Sequence, residues 1–575
     1  MKLTASLTRV LRFGWLAGAM LNSALYAQSQ TDFPLPHLEK RGEATQLIVD
    51  GKPWLILGGE LSNTGSSSLE YMAPVWPRMV RLNLNTVLVA VAWQWIEPVE
   101  GHFDFSLVDG LLEGARANNL RVVFLWFGSW KNGLSSFAPA WVKENQERFP
   151  RSRLRSGRPV EVLSPFNDAN RDADARAYVA FMRHLREADG QRHTTLMIQM
   201  ENEVGLIGDS RDHSPAANEA FSQPVPQPLL DYLQKNRATL RPELQQLWMT
   251  AGAKTKGSWA EVFGAESAAN ELFMAWHYAR YMDRLTELGK TEYPLPVFTN
   301  TWIVQPEDKE PGDYPSGGPE PLTLDVWRAG SPHIDMNCPD IYLPNFAEWV
   351  SLFHNRDRAI FVPESRGDAA GVGNAFYCIG QHTSVGYSPF GIDNSARLTA
   401  LRPDGKSSPV DLENTPLAKG YSVLRQITPL ILEHQAKGTI AAVSLDTKNQ
   451  SQDITLGEYT IHFDLRRNRR NPTEVPAFGY GMVLALAPNE YLVSGCDVQV
   501  TFSTRASNNE IVGLASVEEG TFVTGQWQAG RKLNGDDVLL NYDQAAAAAE
   551  NQSGSGLRFG PEDPTLQRVK LYRYH

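Results

Sequence analysis

Between about residue 54 and residue 388, short runs of β-branched and aromatic residues alternate with stretches whose apolar positions recur at helical spacing. The runs are Trp54–Gly58, Thr86–Val91, Arg121–Leu125, Thr195–Met200, Pro296–Thr299, Ile334–Ile341, Ala359–Pro363 and Ser384–Ser388, eight in all. Short apolar runs of this kind suit strands buried on both faces, the environment of a parallel sheet covered by helices. The stretches between them supply the helices. Val108, Leu111, Leu112 and Ala115 fall at i, i+3, i+4 and i+7, as do Tyr178, Phe181, Met182 and Leu185, so each set lines one helical face. Eight strand–helix units predict an α/β fold closed into a (β/α)8 TIM barrel rather than an open doubly wound sheet.

Ahead of the first run, Gln46–Trp54 reads as a hairpin, because Asp50-Gly51 between apolar residues supplies the positive-φ turn. Between the fourth and fifth strands lies a long insertion, at about 206–285. Its first half is polar and interrupted by proline around Ser214-Pro215 and Pro224–Pro228; its second half is helical. A loop of that length at the end of a barrel strand is expected to wall the leaving-group side of a cleft. Leu417–Leu432 reads as the last barrel helix. From Gly438 the texture changes to short alternating strands, such as Glu458–Phe463 and Val498–Phe502, separated by Asn, Gly and Asp turns. The expected layout is a catalytic barrel over 28–437 and a smaller all-β, sandwich-like accessory domain over 438–575, with Ala545–Gly556 as a surface loop.

Charge and composition narrow the partners. A formal net charge of −11 offers no broad basic surface for phosphate backbones or anionic lipid, so nucleic acid is not an expected partner. Lys2, Arg9 and Arg12 precede the apolar stretch Phe13–Leu21 and small residues up to Ala27, the layout of a secretory signal peptide. Residues 1–27 are therefore expected to be removed and the mature chain exported, to the periplasm or beyond. No later segment has the roughly 20 apolar residues that crossing a bilayer takes. Cys338, Cys378 and Cys496 are scattered without C-x-x-C spacing, which fits three buried small residues rather than a disulfide scaffold.

Barrel enzymes carry their chemistry at the C-terminal ends of the strands, so carboxylates that terminate predicted strands are the candidates. The fourth strand leads into Glu201-Asn202-Glu203-Val204-Gly205 and the seventh into Glu364-Ser365-Arg366-Gly367. Strands four and seven lie nearly opposite each other around an eight-strand ring, so the two carboxyl groups can meet across the mouth. That is the arrangement needed to hydrolyse a glycosidic bond with retention, one carboxylate attacking the anomeric carbon and the other protonating the leaving oxygen. Glu201 competes with Glu203 for the acid role; strand alternation puts both on one side, and the neighbouring Asn202 favours Glu203.

Asn202-Glu203 and Glu364 at these strand ends resemble the glycosidase superfamily called clan A. Gln199–Gly205 looks like the acid/base motif of glycoside hydrolase family 35, the β-galactosidases. Asp50-Gly51-Lys52-Pro53 with Gly58-Gly59-Glu60 resembles that family's approach to its first strand, and Trp93–Pro98 with Gly101–Phe105 is similar to its W-x-x-x-E-P…G-x-F-x-F element. The likeness covers roughly residues 40–400. It implies retaining release of β-linked galactose without a cofactor, with Glu203 as acid/base, Glu364 as nucleophile and Asn202 bonded to the sugar 2-hydroxyl. The chain departs from the family at Leu61-Ser62-Asn63-Thr64, where His-Tyr-x-Arg is usual, and at Pro363–Arg366, which lacks the usual aromatics after the nucleophile. It looks like a divergent branch, related also to glycoside hydrolase family 42.

Sugar rings stack on aromatic planes, and many of the 15 tryptophans lie near strand ends. Trp93, Trp126 and Trp302 are the candidates for the pocket, weighed against ordinary barrel packing. Tyr342, just past the sixth strand, is placed to bond the nucleophile; Glu60 and Asn63 are placed to hold galactose hydroxyls. There is no H-E-x-x-H, no G-x-S-x-G and no Cys/His set at metal spacing, and Gly405-Lys406-Ser407 has Ala400 where a phosphate loop needs glycine. No metal or cofactor is implied. The reading is a retaining exo-hydrolase of terminal β-D-galactosyl residues on plant-type oligo- or polysaccharides, such as xyloglucan side chains. Its rivals are another exo-specificity (β-glucosidase, β-xylosidase or α-L-arabinopyranosidase), a transglycosylase, and a carbohydrate-binding barrel without turnover.

Overall fold

The computed structural model describes residues 33–264, 266–354, 358–394, 411–467, 474–505, 510–540, 555–561 and 563–575. The expected signal peptide, the Gly405-Lys406-Ser407 stretch and residues 545–554 of the expected surface loop lie outside them.

Eight strands form the barrel: β1 (Ile56–Leu57), β2 (Thr86–Ala92), β3 (Arg121–Lys131), β4 (Thr195–Asn202), β5 (Val297–Trp302), β6 (Met336–Asp340), β7 (Val362–Ser365) and β8 (Gly386–Pro389). Pairing is parallel from β2 through β6 and from β7 through β8 to β1. The ring closes at two seams. The Leu61 amide donates to the Leu88 carbonyl at 3.1 Å between β1 and β2, and the Ile341 amide to the Glu364 carbonyl at 3.1 Å between β6 and β7. Each strand is followed by a helix: α1 (Val75–Arg81), α2 (Ser106–Ala117), α3 (Asp168–Asp189), α4 (Glu266–Glu292), α5 (Leu324–Gly330), α6 (Phe346–Phe353), α7 (Ala369–Gln381) and α8 (Pro416–Lys437).

The two faces of each strand separate cleanly. Ile56, Leu88, Ala90, Val123, Leu125, Phe298, Met336 and Phe361 fill the barrel interior, while Val87, Val89, Phe124 and Trp126 point out to the helices. Leu47 and Val49 of the N-terminal hairpin join the interior cluster. That hairpin pairs Ala44–Val49 with Lys52–Trp54 across Asp50 (φ 51°) and Gly51 (φ 73°), a turn with two left-handed positions.

The insertion is not the loop that its prolines suggested. It folds as Pro215–Ser222, Gln227–Lys235, Pro242–Thr250 and Trp259–Phe263 ahead of α4. In the first three helices a proline occupies one of the first two positions, where its missing amide costs nothing. The Asp212 carboxylate ties the segment to the β3–α3 loop, accepting from the Arg153 amide at 3.0 Å and Ser164 Oγ at 2.6 Å, and Leu206 pairs with Ser316 beyond β5. It is a packed helical layer on the C-terminal rim.

Beyond α8, a six-stranded antiparallel sheet faces a five-stranded one. In chain order the strands are β9 (Ile440–Asp446), β10 (Ser451–Leu456), β11 (Tyr459–Leu465), β12 (Phe478–Ala487), β13 (Glu490–Cys496), β14 (Val498–Thr504), β15 (Ile511–Val523), β16 (Gln526–Leu533), β17 (Leu539–Leu540), β18 (Ser555–Arg558) and β19 (Thr565–Tyr574). Val443, Phe463, Val483, Val493, Val500 and Val569 make the core between the sheets. The other face of the larger sheet, with Tyr480, Met482, Leu484 and Leu492, belongs to the barrel's own outer core. Cys338, Cys378 and Cys496 are free thiols. Among the described residues no helix is long and apolar enough to cross a membrane.

Candidate active site

On β4 the backbone leaves extended geometry where the apolar run ends. Glu201 (φ 57°) and Glu203 (φ 45°) both take the left-handed region, so alternation no longer applies and their side chains part. Glu201 turns toward β3, where its two oxygens accept from the amides of Gly128 at 3.0 Å, Ser129 at 2.9 Å and Trp130 at 3.0 Å. Asp174 of α3 lies beside it, accepting from Ser129 Oγ at 2.5 Å and Trp126 Nε1 at 3.0 Å. Burial, then the charge of Asp174, holds the Glu201 carboxyl well above its ordinary range, so this pair keeps a proton. Glu201 is thus a clamp between β3 and β4, turned away from the group that faces the mouth.

Glu203 is that group. Its Oε2 accepts from Asn132 Nδ2 and, at 3.4 Å, from Asn202 Nδ2, while its amide donates to Asn300 Oδ1 at 2.9 Å. Asn300, on β5, spans three strand ends: its Nδ2 also donates to Asn202 Oδ1 at 3.2 Å and to Asp340 Oδ2 on β6 at 2.7 Å. With Gln199 Nε2 donating to the same Asn202 oxygen at 3.1 Å, the Asn202 amide is fixed with its nitrogen toward Glu203. Across the mouth, Glu364 ends β7. Tyr342 donates its hydroxyl to Glu364 Oε1 at 2.5 Å, and Glu364 Oε2 is buried with no partner among the described residues.

One carboxylate oxygen from each of Glu203, Asp340 and Glu364 lies within 4.8 Å of the others. Among the described residues no other set of three His, Cys, Asp or Glu side chains is close enough to grip a cation, and this one has the buried Lys131 of β3 as counter-charge. Burial first, and the charge of Glu364 second, push the Glu203 carboxyl up to about 8 against the pull of Lys131. Glu60, at the end of β1, is buried with neither oxygen partnered among the described residues. Desolvation, with Glu364 and Glu203 beside it, raises its carboxyl well above the ordinary range. A site of this kind has acids that keep a proton near neutrality and carboxyl oxygens with unused lone pairs. It can transfer a proton, offer a nucleophile and accept from several hydroxyl groups.

Of the residues expected at the pocket, Glu60, Glu203, Glu364, Asn202 and Tyr342 come together here. Asn63 is half-buried past β1, its Oδ1 unpartnered among the described residues. Trp302 is half-buried at the end of β5. Trp93 and Trp126 do not reach the pocket. With Val123, Leu125 and Phe127 inward on β3, Trp126 must face outward, 5.5 Å from Tyr178 and 5.7 Å from Phe181 of α3. Trp93 is buried in the helical layer, donating to Glu97 Oε2 at 2.7 Å and meeting Trp141 edge-on. Both are packing residues. Lys131, Asn132, Asn300 and Asp340 went unread in the sequence. Asp340 lies within the run read as the sixth strand, so the search for carboxylates at strand ends, applied to every strand, would have found it.

Residues 70–291 match the family model described as Beta-galactosidase, that of glycoside hydrolase family 42, and 417–542 match a model described as Domain of unknown function (DUF5597). A beta-galactosidase of Xanthomonas manihotis is 29% identical over 204 residues, covering 34% of this chain and 30% of that protein, so the alignment spans less than a third of the relative's length. Solved beta-galactosidases are similar at low identity and low TM-score. That of Bacillus circulans sp. alkalophilus has a TM-score of 0.45 at 15% identity, covering 66% of this chain and 57% of that one. A GH42 beta-galactosidase from G. stearothermophilus has a TM-score of 0.46 at 12% identity, covering 90% and 98%. The stretch that carries Asn202 and Glu203 therefore matches the family 42 model, and the family 35 reading of its motifs gives way to it.

Proposed function

We propose that the chain is a retaining exo-glycoside hydrolase that releases terminal β-D-galactosyl residues from plant-type oligo- or polysaccharides, xyloglucan side chains among them, and that it works outside the cytoplasm. The approach of the Glu203 and Glu364 carboxyl groups to within 4.8 Å carries the reading, because retention requires two carboxyls about 5 to 5.5 Å apart. The N-terminal composition supports export, and the matched family description supports galactose.

Each step falls to a side chain at the barrel mouth. Glu364, held by the Tyr342 hydroxyl, attacks the anomeric carbon and forms a glycosyl ester. Glu203 gives its proton to the leaving oxygen in the same step; it then takes a proton from water, and the resulting hydroxide opens the ester and frees Glu364. Asn202, oriented by Gln199 and Asn300, points its amide nitrogen at the pocket, where it donates to the hydroxyl beside the anomeric centre. The unpartnered oxygens of Glu60 accept from hydroxyls further round the ring.

Glu203→Ala is expected to lose about 10²- to 10⁴-fold in kcat/KM towards poor leaving groups, the usual contribution of general acid catalysis, and far less towards activated aryl galactosides. Glu364→Ala is expected to fall to background on both, with azide restoring turnover to an inverted glycosyl azide. Steady-state kinetics and product stereochemistry check both, and normal turnover by either variant overturns the assignment. A panel of aryl glycosides tests the sugar: turnover of glucosides or xylosides above galactosides would move the specificity while leaving the chemistry.

A further inference from the structure

Four carboxyl groups and one ammonium group share the mouth of the barrel. Asp340 faces Glu203 from β4, Glu364 from β7, Glu60 from β1 and Lys131 from β3, with Asn300 on β5, Cys338 on its own strand and Tyr342 just past it. Like charges at this spacing in a buried site cannot all ionise, so some of these acids keep their protons. The double-displacement cycle requires Glu364 as an anion and Glu203 in each form in turn. The charge balance must therefore be met by the others.

The two oxygens of Asp340 are not equivalent. Oδ2 accepts from Asn300 Nδ2 at 2.7 Å, as a carbonyl-type oxygen would. Oδ1 is buried with no partner among the described residues, yet its carboxyl group lies within hydrogen-bond reach of Glu203. An ionised Asp340 would leave that oxygen without a donor on a residue that is only 2% exposed. A hydroxyl on Oδ1 gives the oxygen a task.

We propose that Asp340 is a positioning residue for the acid/base: it keeps its own proton on Oδ1 and donates that hydrogen bond to Glu203 whenever Glu203 is ionised. The inference rests on the hydrolase reading above. Burial, with the charges of Glu364, Glu203 and Glu60, holds the Asp340 carboxyl well above its ordinary range, and Lys131 pulls it the other way. In the first step the Glu203 proton goes to the leaving oxygen while Asp340 retains its own. The hydrogen bond from Asp340 then stabilises the Glu203 carboxylate until it takes a proton from water, and the cycle returns to its starting charge. Asp340 is neither consumed nor a proton donor to substrate. Its effect is to ease proton release from an acid that burial would otherwise hold too tightly, as a neutral carboxyl donor can in an apolar site.

The isosteric amide tests this directly. In Asp340→Asn, Oδ1 can take over the bond from Asn300 while Nδ2 donates to Glu203 as the proposed hydroxyl does. The expected result is kcat within about threefold of wild type and an alkaline limb of the pH profile moved by less than about half a unit. Asp340→Ala removes the donor, and is expected to slow substrates limited by protonation of a poor leaving group by about 10- to 100-fold, the worth of one hydrogen bond to a charged group, and to leave breakdown of the glycosyl ester at least as fast. An ionised Asp340 gives the opposite pattern, with D340N moving the alkaline limb down by a unit or more, and that result overturns the proposal. Neutron diffraction of the wild-type protein needs no variant: a deuteron on Oδ1 is expected, and bare oxygens on Asp340 overturn it. Normal turnover by the Glu203 and Glu364 variants would sink the two-glutamate assignment and this inference with it. Their inactivity together with a shifted D340N limb would sink this inference alone.

Discussion

In the proposed cycle, Glu203 has to hold a proton firmly enough to be an acid at the start and loosely enough to give it up. Burial and the charge of Glu364 set its carboxyl at about 8, so below that pH it enters the reaction protonated. The acid form is lost as pH rises, and kcat/KM for a substrate with a poor leaving group is expected to fall about tenfold per pH unit above 8. An activated aryl substrate needs little proton help and should keep its rate further into alkali. Profiles for both substrates check this; a shared limb would assign the ionisation elsewhere. The same shift acts on stability. The folded carboxyl binds its proton more tightly than the unfolded one at about 4.3, so its contribution is complete below that pH and disappears as pH climbs through 8. E203Q is therefore expected to melt higher than wild type in alkali and not in acid. Glu364 could be picked out in the sequence because it follows an apolar run directly, and Glu203 because Asn202 precedes it just past another. Asn300 and Lys131 could not, since a lone polar residue at a strand end has no pattern of its own. Their meaning comes from three strands converging in space.

At the level of elements, the ends of β3 and β4 depend on Glu201. Both of its oxygens accept from consecutive backbone amides, so an amide side chain would set N–H against N–H on at least one of them. Glu201→Gln is expected to cost about 1 to 3 kcal/mol of stability, the price of unsatisfied buried donors. It should also lower kcat, because Glu203 follows two residues later on the same left-handed backbone. Thermal unfolding and kinetics read both effects, and the alkaline limb should stay where it is. A shift of the limb would return Glu201 to contention as the acid. Its same-side placement with Glu203 was the natural inference from a two-residue period, and it failed because φ is positive at both positions, which apolar patterning does not encode. The eight strands were legible because each is an apolar run bounded by polar ones. The helices of the insertion were hidden for a related reason: Pro215 and Pro228 read as interruptions, whereas each sits in the first two positions of a helix.

The whole molecule couples the C-terminal sandwich to the strand that ends in Glu364. Helix α7 leaves β7 three residues after Ser365, capped by Asp368 Oδ1 accepting from the Gly371 amide at 3.0 Å, and its far face lies against the larger sheet. The approach is close because two glycines, two helical turns apart, line it. A Cβ on Gly373 would stand 2.2 Å from the Phe478 ring and 2.8 Å from Tyr480, and one on Gly380 would stand 2.7 Å from Ala442. Phe478–Ala487 is apolar through most of its length for the same reason, one face turned to the sandwich core and the other to α7 and α8. Alternating strands in this region announced a sandwich, but its docking on the barrel lay in that unbroken apolar stretch and in small residues on a helix. Gly373→Ala is expected to force helix and sheet apart, costing about 1 to 3 kcal/mol as overpacked cores do. Because α7 hangs from the strand that ends in Glu364, the proposed nucleophile, the displacement should reach that side chain and reduce kcat as well as the melting temperature, with the pH profile unchanged. A Gly373→Ala protein with wild-type melting and wild-type kcat would mean that the sheet yields freely to the helix. The sandwich would then give no mechanical support to the catalytic centre.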